Sequence, residues 1–298
     1  MLAVLGCGNM ATAIDKSTEF DGRGYPDLRD HLRALEEADL LYTIDEPVNK
    51  DTELVPLVRL QFRGLAENER KAFWFKNVTD ARERVFDASV IIGSIGCSRT
   101  VYGAALGVGP DDIGAKWASV HGNHLKPEEI KYADAPVKQV VVTASDLGIG
   151  IDRFPHLVST PGFDPAPYLT AGVWVTRDPE TGACNLGIYR GMIKADDRIG
   201  VATDTSTQHL AIMWEKARRL GKPLEAAVVI GGPPALLMAA ASKVPYGVEE
   251  YGVAGALNGV PIPVVRAETC DVMVPAHAEI VIEGKIRTDV LEPEAPFG

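Results

Sequence analysis

The stretch Tyr168-Leu-Thr-Ala-Gly-Val-Trp-Val-Thr-Arg-Asp-Pro-Glu-Thr-Gly-Ala-Cys-Asn-Leu-Gly-Ile-Tyr-Arg190 decides the fold that we predict for the second half of the chain. Its residues 171–176 alternate in the manner of a β-strand, and residues 178–182 have the composition of a hairpin turn. Residues 185–193 are then predicted to return as the partner strand. The sequence therefore predicts antiparallel strand pairing at this point.

Beyond this hairpin, strands are predicted to alternate with short helices. Ser206 or Thr207 is predicted to cap a helix that extends through Leu220. The segment Gly231-Gly-Pro-Pro234 is predicted to turn the chain into a short helix that ends near Ala241. This order predicts a mostly antiparallel, split β-barrel-like domain decorated by helices. Its other strands are predicted at residues 137–143, 226–230, 264–267 and 279–282, and another helix at residues 248–257.

The first half of the chain has the pattern of a small α/β domain. Asp27 can cap a helix in which Leu28, Leu32 and Leu35 share one face. Asp51 is predicted to cap a second helix, which ends near Gly64 and turns Leu54, Leu57, Val58 and Phe62 inward. Strands are predicted at residues 40–44, 72–75 and 88–92, and helices near residues 99–106 and 111–119.

We predict an α/β protein with two domains and an N-terminal extension. Residues 1–26 are predicted to be the extension, and residues 27–125 the N-terminal α/β domain. Residues 126–298 are predicted to be the split-barrel domain. The boundary falls in residues 121–136, which are polar and interrupted by prolines.

The composition argues against several classes of protein. A net charge of −11 does not provide the clustered Lys and Arg that a nucleic-acid surface needs. No apolar run reaches about 18 residues, so no membrane-spanning helix is predicted, and the first residues lack the basic region of a signal peptide. The four cysteines are widely spaced and form no C-x-x-C pair, which favours reduced thiols in a cytoplasmic protein.

A short N-terminal motif resembles a nucleotide-binding fingerprint. Gly6-Cys-Gly-Asn-Met-Ala11 follows an apolar run and matches the pattern G-x-G-x-x-A. A dinucleotide-binding fold also needs a second strand about 20 residues further on, ending in an acidic residue. Residues 17–26 are rich in turn-forming residues instead. A dehydrogenase dependent on NAD(P) is therefore an alternative that rests on this motif alone.

Seven segments carry a resemblance that covers the chain from about Asp27 to its last residue. They are residues 168–179, Cys184-Asn-Leu-Gly-Ile-Tyr-Arg190, Thr207-Gln-His209, Ala227-Val-Val-Ile-Gly-Gly-Pro-Pro-Ala235, Pro245-Tyr-Gly-Val-Glu-Glu-Tyr-Gly252, Val274-Pro-Ala-His-Ala-Glu-Ile-Val-Ile-Glu-Gly284 and Glu294-Ala-Pro-Phe-Gly298. In this order they resemble the UbiD family, whose members include the ferulic acid and polyprenyl-hydroxybenzoate decarboxylases.

The resemblance implies a prenylated FMN cofactor, a divalent metal (commonly Mn²⁺, otherwise Mg²⁺) and a nearby K⁺ ion. It implies reversible, non-oxidative decarboxylation of a small aromatic or α,β-unsaturated acid, and a homo-oligomer, either a dimer or a hexamer. The family's metal ligands fall on Asn185, His209 and Glu250, and its catalytic residues on Arg190 and Glu294. The residues expected to contact the cofactor are Asn185, Gly187, Ile188, Tyr189, Arg190, Gln208, His209, Ser242 and Glu250.

The chemistry of the three candidate metal ligands agrees with that implication. An amide oxygen, an imidazole nitrogen and a carboxylate oxygen suit Mn²⁺ or Mg²⁺ better than a metal that prefers thiolates. A single carboxylate leaves charge on the metal for a cofactor phosphate to complete. The side-chain tips of Asn185, His209 and Glu250 are therefore expected to converge on one point.

The spacing on the returning strand creates a geometric conflict. Asn185 and Arg190 are five residues apart, and an odd separation places two side chains on opposite faces of a regular strand. Both are nevertheless expected near the cofactor. We therefore predict an irregularity of the strand between Leu186 and Tyr189.

The resemblance also assigns the groups that would handle the substrate. Arg190 is expected to hold the leaving carboxylate with two hydrogen bonds, and Glu294 to fix the arginine. After CO₂ leaves, an acid must return a proton to the same carbon. In the family this acid is a second glutamate directly after a Pro-Phe-Gly such as residues 296–298. The sequence ends there, so the chain is expected to be incomplete for activity, and a non-catalytic flavin-binding fragment or scaffold subunit remains an alternative.

Overall fold

The computed structural model describes residues 2–6, 23–143 and 150–297, which form a mixed α/β fold as predicted. Within these residues the helices are α1 (Leu28–Glu37), α2 (Leu54–Gly64), α3 (Arg99–Ala105), α4 (Ile113–Ser119), α5 (His209–Arg219), α6 (Pro234–Ala241) and α7 (Glu250–Asn258). The strands are β1 (Leu2–Gly6), β2 (Leu41–Ile44), β3 (Val48–Asn49), β4 (Ala72–Phe75), β5 (Val78–Thr79), β6 (Val85–Phe86), β7 (Ala88–Ile92), β8 (Glu128–Glu129), β9 (Tyr168–Leu169), β10 (Val173–Arg177), β11 (Cys184–Ile188), β12 (Gly191–Ala195), β13 (Arg198–Val201), β14 (Leu224–Ile230), β15 (Pro263–Arg266), β16 (Met273–Pro275) and β17 (Ile280–Ile286).

The N-terminal half is built on a sheet with the strand order β1-β7-β4-β2. Strands β2 and β4 are parallel, whereas β7 is antiparallel to both β4 and β1. Strand β1 lies within the predicted extension and adds to the edge of this sheet. The fingerprint that begins at Gly6 continues into residues 7–11, which lie outside the described residues.

Helix α1 begins and packs as predicted. The Asp27 carboxylate accepts a hydrogen bond from the backbone N–H of Asp30 at 2.8 Å, which satisfies one of the free donors at the helix start. Leu28, Leu32 and Leu35 are all buried in one cluster with residues of the sheet. The apolar face of the helix is therefore the one that the leucine spacing indicated.

The predicted cap of helix α2 is wrong. The side chain of Asp51 does not cap the helix, which begins at Leu54. Its carboxylate instead accepts a hydrogen bond from the backbone N–H of Ala81 at 3.0 Å. Asp51 therefore ties the start of the helix to a neighbouring loop.

The predicted buried face of helix α2 is also partly wrong. Leu57 and Phe62 are exposed at 39% and 43%, although Val58 is buried. The polar Gln61 occupies the inward position, where its side-chain amide donates to the carbonyl of Lys71 at 2.9 Å and accepts from the same residue's N–H at 3.1 Å. A buried amide is tolerated because both of its polar atoms are paired.

The C-terminal half contains a four-stranded sheet with the order β11-β10-β14-β17, in which every neighbouring pair is antiparallel. The predicted hairpin joins β10 to β11. Asp178 Oδ1 accepts a hydrogen bond from the N–H of Glu180 at 2.8 Å, and Gly182 has a φ of 78°. Glycine adopts this left-handed conformation without strain, so the turn closes where its composition indicated. A second antiparallel sheet has the order β13-β12-β9.

The predicted returning strand, residues 185–193, is in fact two strands in two sheets. Strand β11 ends at Ile188 beside β10, and strand β12 begins at Gly191 between β9 and β13. The chain changes sheets at Tyr189 and Arg190, where the indole Nε1 of Trp174 donates to the Tyr189 carbonyl at 2.9 Å. The predicted irregularity is thus a complete break just after Ile188.

The strand predicted at residues 137–143 does not form. Val140, Val141 and Val142 are exposed at 78%, 41% and 42%, and no described strand pairs with them. The β-propensity of valine reflects packing on a half-buried sheet surface, and that surface is missing here.

The predicted cap of helix α5, Ser206 or Thr207, is wrong by two residues or one. The helix begins at His209 after Gln208, and no side chain caps its first turn. The hydroxyl of Thr207 lies 3.0 Å from that of Thr205 instead. The helix ends at Arg219, close to the predicted end.

A hydrophobic cluster crosses the predicted boundary at residues 121–136. It contains Ile95 and Leu106 from the first half and Val173 and Leu186 from the second. Strand β8, inside the boundary stretch, pairs in parallel with β15. The two halves therefore share a core, and the division at residue 126 stays a prediction.

Two of the class exclusions can be compared with the structure. Among the described helices, none combines the length and the apolar composition that crossing a bilayer requires. Cys97, Cys184 and Cys270 are free thiols.

Two histidines are buried in their neutral form. His31 Nε2 lies 2.6 Å from the carbonyl of Ser94, and His156 Nε2 lies 2.7 Å from the carbonyl of Ile151. Burial lowers the pKa of each imidazole from 6.5 to about 4. Below pH 6.5 the unfolded chain therefore takes up protons that the folded chain does not. Stability that is present above this pH is lost as the pH falls toward 4.

We predict that His31→Gln reduces this loss of stability. Glutamine can keep a side-chain donor toward Ser94 but does not titrate. One buried histidine accounts for about 1.4 kcal/mol per pH unit, or about 2 kcal/mol between pH 6.5 and 5. Urea unfolding at both pH values measures the difference. The exposed His121→Gln variant is the control and should follow the wild type. An undiminished pH dependence in His31→Gln would contradict the prediction.

Candidate metal and cofactor site

The three candidate metal ligands lie at the ends or on the edge of three different elements. Asn185 is on edge strand β11, His209 is the first residue of α5, and Glu250 is the first residue of α7. Asn185 and Glu250 are each 2% exposed. Glu250 Oε2 accepts a hydrogen bond from the backbone N–H of Leu186 at 2.8 Å, which fixes the start of α7 against β11.

The structure brings these three side chains together. His209 Nδ1 lies 3.0 Å from Asn185 Oδ1 and 3.5 Å from Glu250 Oε1. The residues are separated by 24 and 41 positions along the chain, so only the tertiary fold places them side by side. The expected convergence on one point is therefore present.

The protonation state of His209 determines which of its ring nitrogens can bind a metal. The imidazole also hydrogen-bonds the backbone of Val244. We assign this bond to Nε2–H, because Nδ1 faces Asn185 and Glu250. Burial lowers the pKa of His209, which favours the neutral ring. Nδ1 then carries a lone pair toward two oxygen acceptors.

Three electron-pair donors that face one another need a cation or a proton between them. Burial raises the pKa of Glu250 to about 7, and within the described ranges no Lys or Arg pairs with this carboxylate. A carbonyl on the far nitrogen of a ligating histidine is also the usual arrangement in metal sites. Asn185, His209 and Glu250 therefore fit a divalent metal such as Mn²⁺.

These protein ligands do not complete a metal site on their own. Among the described residues, no group of three or more His, Cys, Asp or Glu side chains could hold a metal ion. The candidate site contains one imidazole and one carboxylate, supplemented by an amide. A metal bound here would keep positions for water or phosphate oxygens, as Mg²⁺ and Mn²⁺ sites commonly do.

Arg190 and Glu294 form the second part of the site. Arg190 Nε donates to Glu294 Oε1 at 2.7 Å, and the two side chains are 39% and 15% exposed. This hydrogen bond raises the pKa of Arg190, so the guanidinium stays charged. The guanidinium also lies 6.0 Å from the centre of the Phe297 ring. The two predicted catalytic residues are thus in direct contact.

The segment that carries Glu294 is anchored on both sides. The Lys194 ammonium donates to the Pro293 carbonyl at 2.7 Å and pairs with Glu292 at 3.1 Å. The hydroxyl of the buried Tyr168 donates to the Ala295 carbonyl at 3.2 Å. Glu294 is therefore held in place by its own chain neighbours as well as by Arg190.

The other residues expected at the cofactor are only partly near this centre. Tyr189 OH accepts a hydrogen bond from the N–H of Leu210, directly after His209, and its ring covers Gly187. Gln208 uses its side-chain oxygen to accept the N–H of Asp204 at 2.8 Å. Ser242 caps the end of α6 through its bond to the Ala239 carbonyl. Ile188 is half-buried at the end of β11.

A groove of about 2630 Å³ lies beside the site, on the side of Glu294. Glu294, Lys194, Trp174 and Val228 are among its lining residues. None of the three candidate metal ligands lines it, and neither does Arg190. Among the described residues predicted for the site, Glu294 alone lines the groove.

Sequence reasoning missed three polar residues close to the metal ligands. Asp178, Lys216 and Tyr246 form a hydrogen-bonded group, and the Tyr246 ring packs edge-on against His209 with centroids 5.2 Å apart. Asp178 and Tyr246 lie within the motifs that carry the resemblance. Both lie beside turn-forming residues, and a role in a turn accounts for each of them without a role in the site.

The comparison with family models assigns most of the second half of the chain. Residues 128–298, more than half of the sequence, match the model named UbiD, the 3-octaprenyl-4-hydroxybenzoate carboxy-lyase Rift-related domain. The matched range contains all of the residues that we predicted for the site.

Two solved structures illustrate the similarity of fold. An evolved dimeric form of the UbiD-class enzyme HmfF from Pelotomaculum thermopropionicum, in complex with prFMN, is 32% identical with a TM-score of 0.83, covering 92% of this chain and 60% of that chain. The vanillic acid decarboxylase of Sedimentibacter hydroxybenzoicus, in closed form, is 27% identical with a TM-score of 0.79, covering 88% of this chain and 55% of that chain.

Curated relatives give the same result in sequence. An uncharacterized protein of Aquifex aeolicus is 31% identical over 301 residues, covering 93% of this chain and 58% of the relative. The anhydromevalonate phosphate decarboxylase of Methanothermobacter thermautotrophicus is 41% identical over 134 residues, covering 45% of this chain and 31% of the relative. The chain thus spans about a third to three fifths of the length of the curated relatives it matches.

We predict that Gly187→Ala destabilises the protein by about 1 to 3 kcal/mol. A Cβ at Gly187 would clash with Cε2 of Tyr189. The Tyr189 ring cannot easily withdraw, because its hydroxyl accepts the N–H of Leu210 and the backbone carbonyl of Tyr189 accepts the indole N–H of Trp174. Urea unfolding measures the loss. Gly284→Ala in strand β17 is the matched control, since no atom lies within 4 Å of its added Cβ. Equal stability of the two variants would show that the Tyr189 ring does not exclude a Cβ at position 187.

Proposed function

Because this chain belongs to the UbiD family of carboxy-lyases, we propose that it binds prenylated FMN and a divalent metal for the reversible, non-oxidative decarboxylation of an aromatic or α,β-unsaturated acid. The HmfF structures, one with prFMN and one with FMN, support the flavin. The relatives named as decarboxylases of vanillic acid and of anhydromevalonate phosphate support the reaction class.

The observation that carries the proposal is the meeting of Asn185, His209 and Glu250 in a buried place. Asn185 Oδ1 and Glu250 Oε1 lie 3.0 and 3.5 Å from His209 Nδ1. We propose that the three hold Mn²⁺, or Mg²⁺ in its place, and that the remaining positions take phosphate oxygens of the cofactor. When bound, the prenylated flavin would supply the electron sink that the carbon losing CO₂ requires. A K⁺ ion is proposed from the family resemblance alone.

We propose that Arg190 binds the carboxylate of the substrate. Its Nε is used by Glu294, and within the described part of the chain its two terminal nitrogens make no other hydrogen bond. A guanidinium presents these nitrogens in a fixed fork that matches a carboxylate. Glu294 would orient this fork.

The assembly and the location are proposals as well. A homo-oligomer, dimer or hexamer, is supported by the dimeric form of HmfF. A cytoplasmic location is supported by the cysteine pattern and by the three free thiols among the described residues.

The metal proposal predicts that single changes at the three ligands weaken Mn²⁺ binding. Asn185→Ala, His209→Ala and Glu250→Gln should each raise the Mn²⁺ dissociation constant by about tenfold or more, since each removes one ligand of a site with few protein ligands. Electron paramagnetic resonance of free and bound Mn²⁺ measures it without any cofactor. His277→Ala is the control. Wild-type affinity in all three ligand variants would show that the metal is bound elsewhere.

The catalytic proposal predicts that Arg190→Ala lowers the turnover of decarboxylation by about 100-fold or more, because the carboxylate is no longer held in a reactive orientation. The protein from the whole gene, loaded with prenylated FMN, Mn²⁺ and K⁺, would be assayed for CO₂ release from a panel of aromatic and acrylic acids. Arg219→Ala, an exposed arginine of α5 that pairs with Glu215, should retain wild-type turnover. Similar turnover in both variants would remove Arg190 from the mechanism.

A further inference from the structure

Asp178 is a charged side chain with no exposure to solvent. It is the first residue of the hairpin turn between β10 and β11, and its Oδ1 accepts the N–H groups of Glu180 and Thr181 at 2.8 and 3.3 Å. Those bonds are all that a turn of this type needs. The second oxygen, Oδ2, therefore requires a separate explanation.

Oδ2 of Asp178 joins two distant elements. It accepts a hydrogen bond from the Lys216 ammonium at 2.7 Å and another from the Tyr246 hydroxyl. The Lys216 ammonium also lies 5.0 Å from the centre of the Tyr246 ring. A buried carboxylate is stable only when it is paired and hydrogen-bonded in this way.

Each of the three residues precedes or follows a candidate metal ligand on its own segment. Asp178 opens the turn that leads into β11 and Asn185. Lys216 follows His209 by two turns on α5, and Tyr246 lies in the loop that leads to Glu250. We propose that Asp178, Lys216 and Tyr246 form a clamp that holds these three segments in register and so positions the metal ligands.

The clamp reaches His209 directly. The Tyr246 ring stands at 88° to the imidazole with centroids 5.2 Å apart, and Val244 of the same loop hydrogen-bonds the imidazole. The loop thus limits rotation of the ring from two sides. Asp178 fixes the loop through the Tyr246 hydroxyl, so it acts on the ligand without contacting it. All three are positioning residues, and their proposed effect on a metal rests on the proposed function.

The test uses two variants that preserve shape. Asp178→Asn keeps an acceptor for the turn but removes the charge from Oδ2. Tyr246→Phe keeps the ring against His209 and removes only the hydroxyl. Glu215→Gln is the matched control. Glu215 directly precedes Lys216 on α5, but it pairs with Arg218 and Arg219, away from the clamp.

The first measurement is Mn²⁺ affinity by electron paramagnetic resonance, well below the unfolding temperature. Asp178→Asn and Tyr246→Phe should each raise the dissociation constant by about 10- to 100-fold, the usual effect of removing a group that orients a metal ligand. The double variant should be little worse than either single variant, since both break one unit. Wild-type affinity in both single variants would overturn the proposal, and a purely structural group would lower only the unfolding temperature.

The second measurement is amide hydrogen exchange of the metal-free protein. Asp178→Asn should speed exchange together in β11, in the first turn of α5 and in residues 244–250, whereas Glu215→Gln should not. If the wild type binds no Mn²⁺, the proposed metal site is wrong. The hydrogen-exchange measurement still tests whether the clamp holds the three segments, because it needs no metal. Unchanged exchange in the three segments would overturn the clamp itself. If Asp178→Asn does not fold, Tyr246→Phe carries both measurements.

Discussion

The arrangement of the site depends on how the edge of one sheet satisfies its backbone donors. Strand β11 has β10 on one side and none of the described strands on the other. Its N–H groups at Cys184 and Leu186 donate to the carboxylates of Glu249 and Glu250, each at 2.8 Å. Buried backbone donors must be paired, and two successive glutamates do so in place of a strand. The N-terminal end of α7, with its partial positive charge, also favours carboxylates at this position.

This edge contact determines the direction of the second oxygen of Glu250. With Oε2 committed to Leu186, Oε1 is directed to His209. Asn185 lies between the two paired N–H groups on β11, so its side chain reaches the same place. The metal-ligand geometry is therefore a consequence of edge-strand pairing, in which the backbone of β11 orients the Glu250 carboxylate.

The sequence predicted those elements whose formation depends on neighbours in the chain. The hairpin at residues 178–182 and helix α1 carry their own turn or capping residues, and both form as predicted. Residues 137–143 have the composition of a strand, but no described strand pairs with them, so they form none. The change of sheet at Tyr189 likewise depends on a distant bond, from Trp174 to its carbonyl, that no local pattern contains.

The same limit applies to two buried carboxylates near the metal ligands, Asp178 and Glu250, whose partners differ. Burial raises the pKa of both, but at Asp178 the hydrogen bonds from Lys216 and Tyr246 more than offset it, and its pKa is lowered. At Glu250 no described cation does so, and burial raises the pKa to about 7. Asp178 already has its cation and serves the fold, whereas Glu250 can be stabilised as a carboxylate by a metal. Residue type alone does not distinguish these two acidic side chains, because Lys216 lies 38 positions from Asp178 along the chain and His209 lies 41 positions from Glu250.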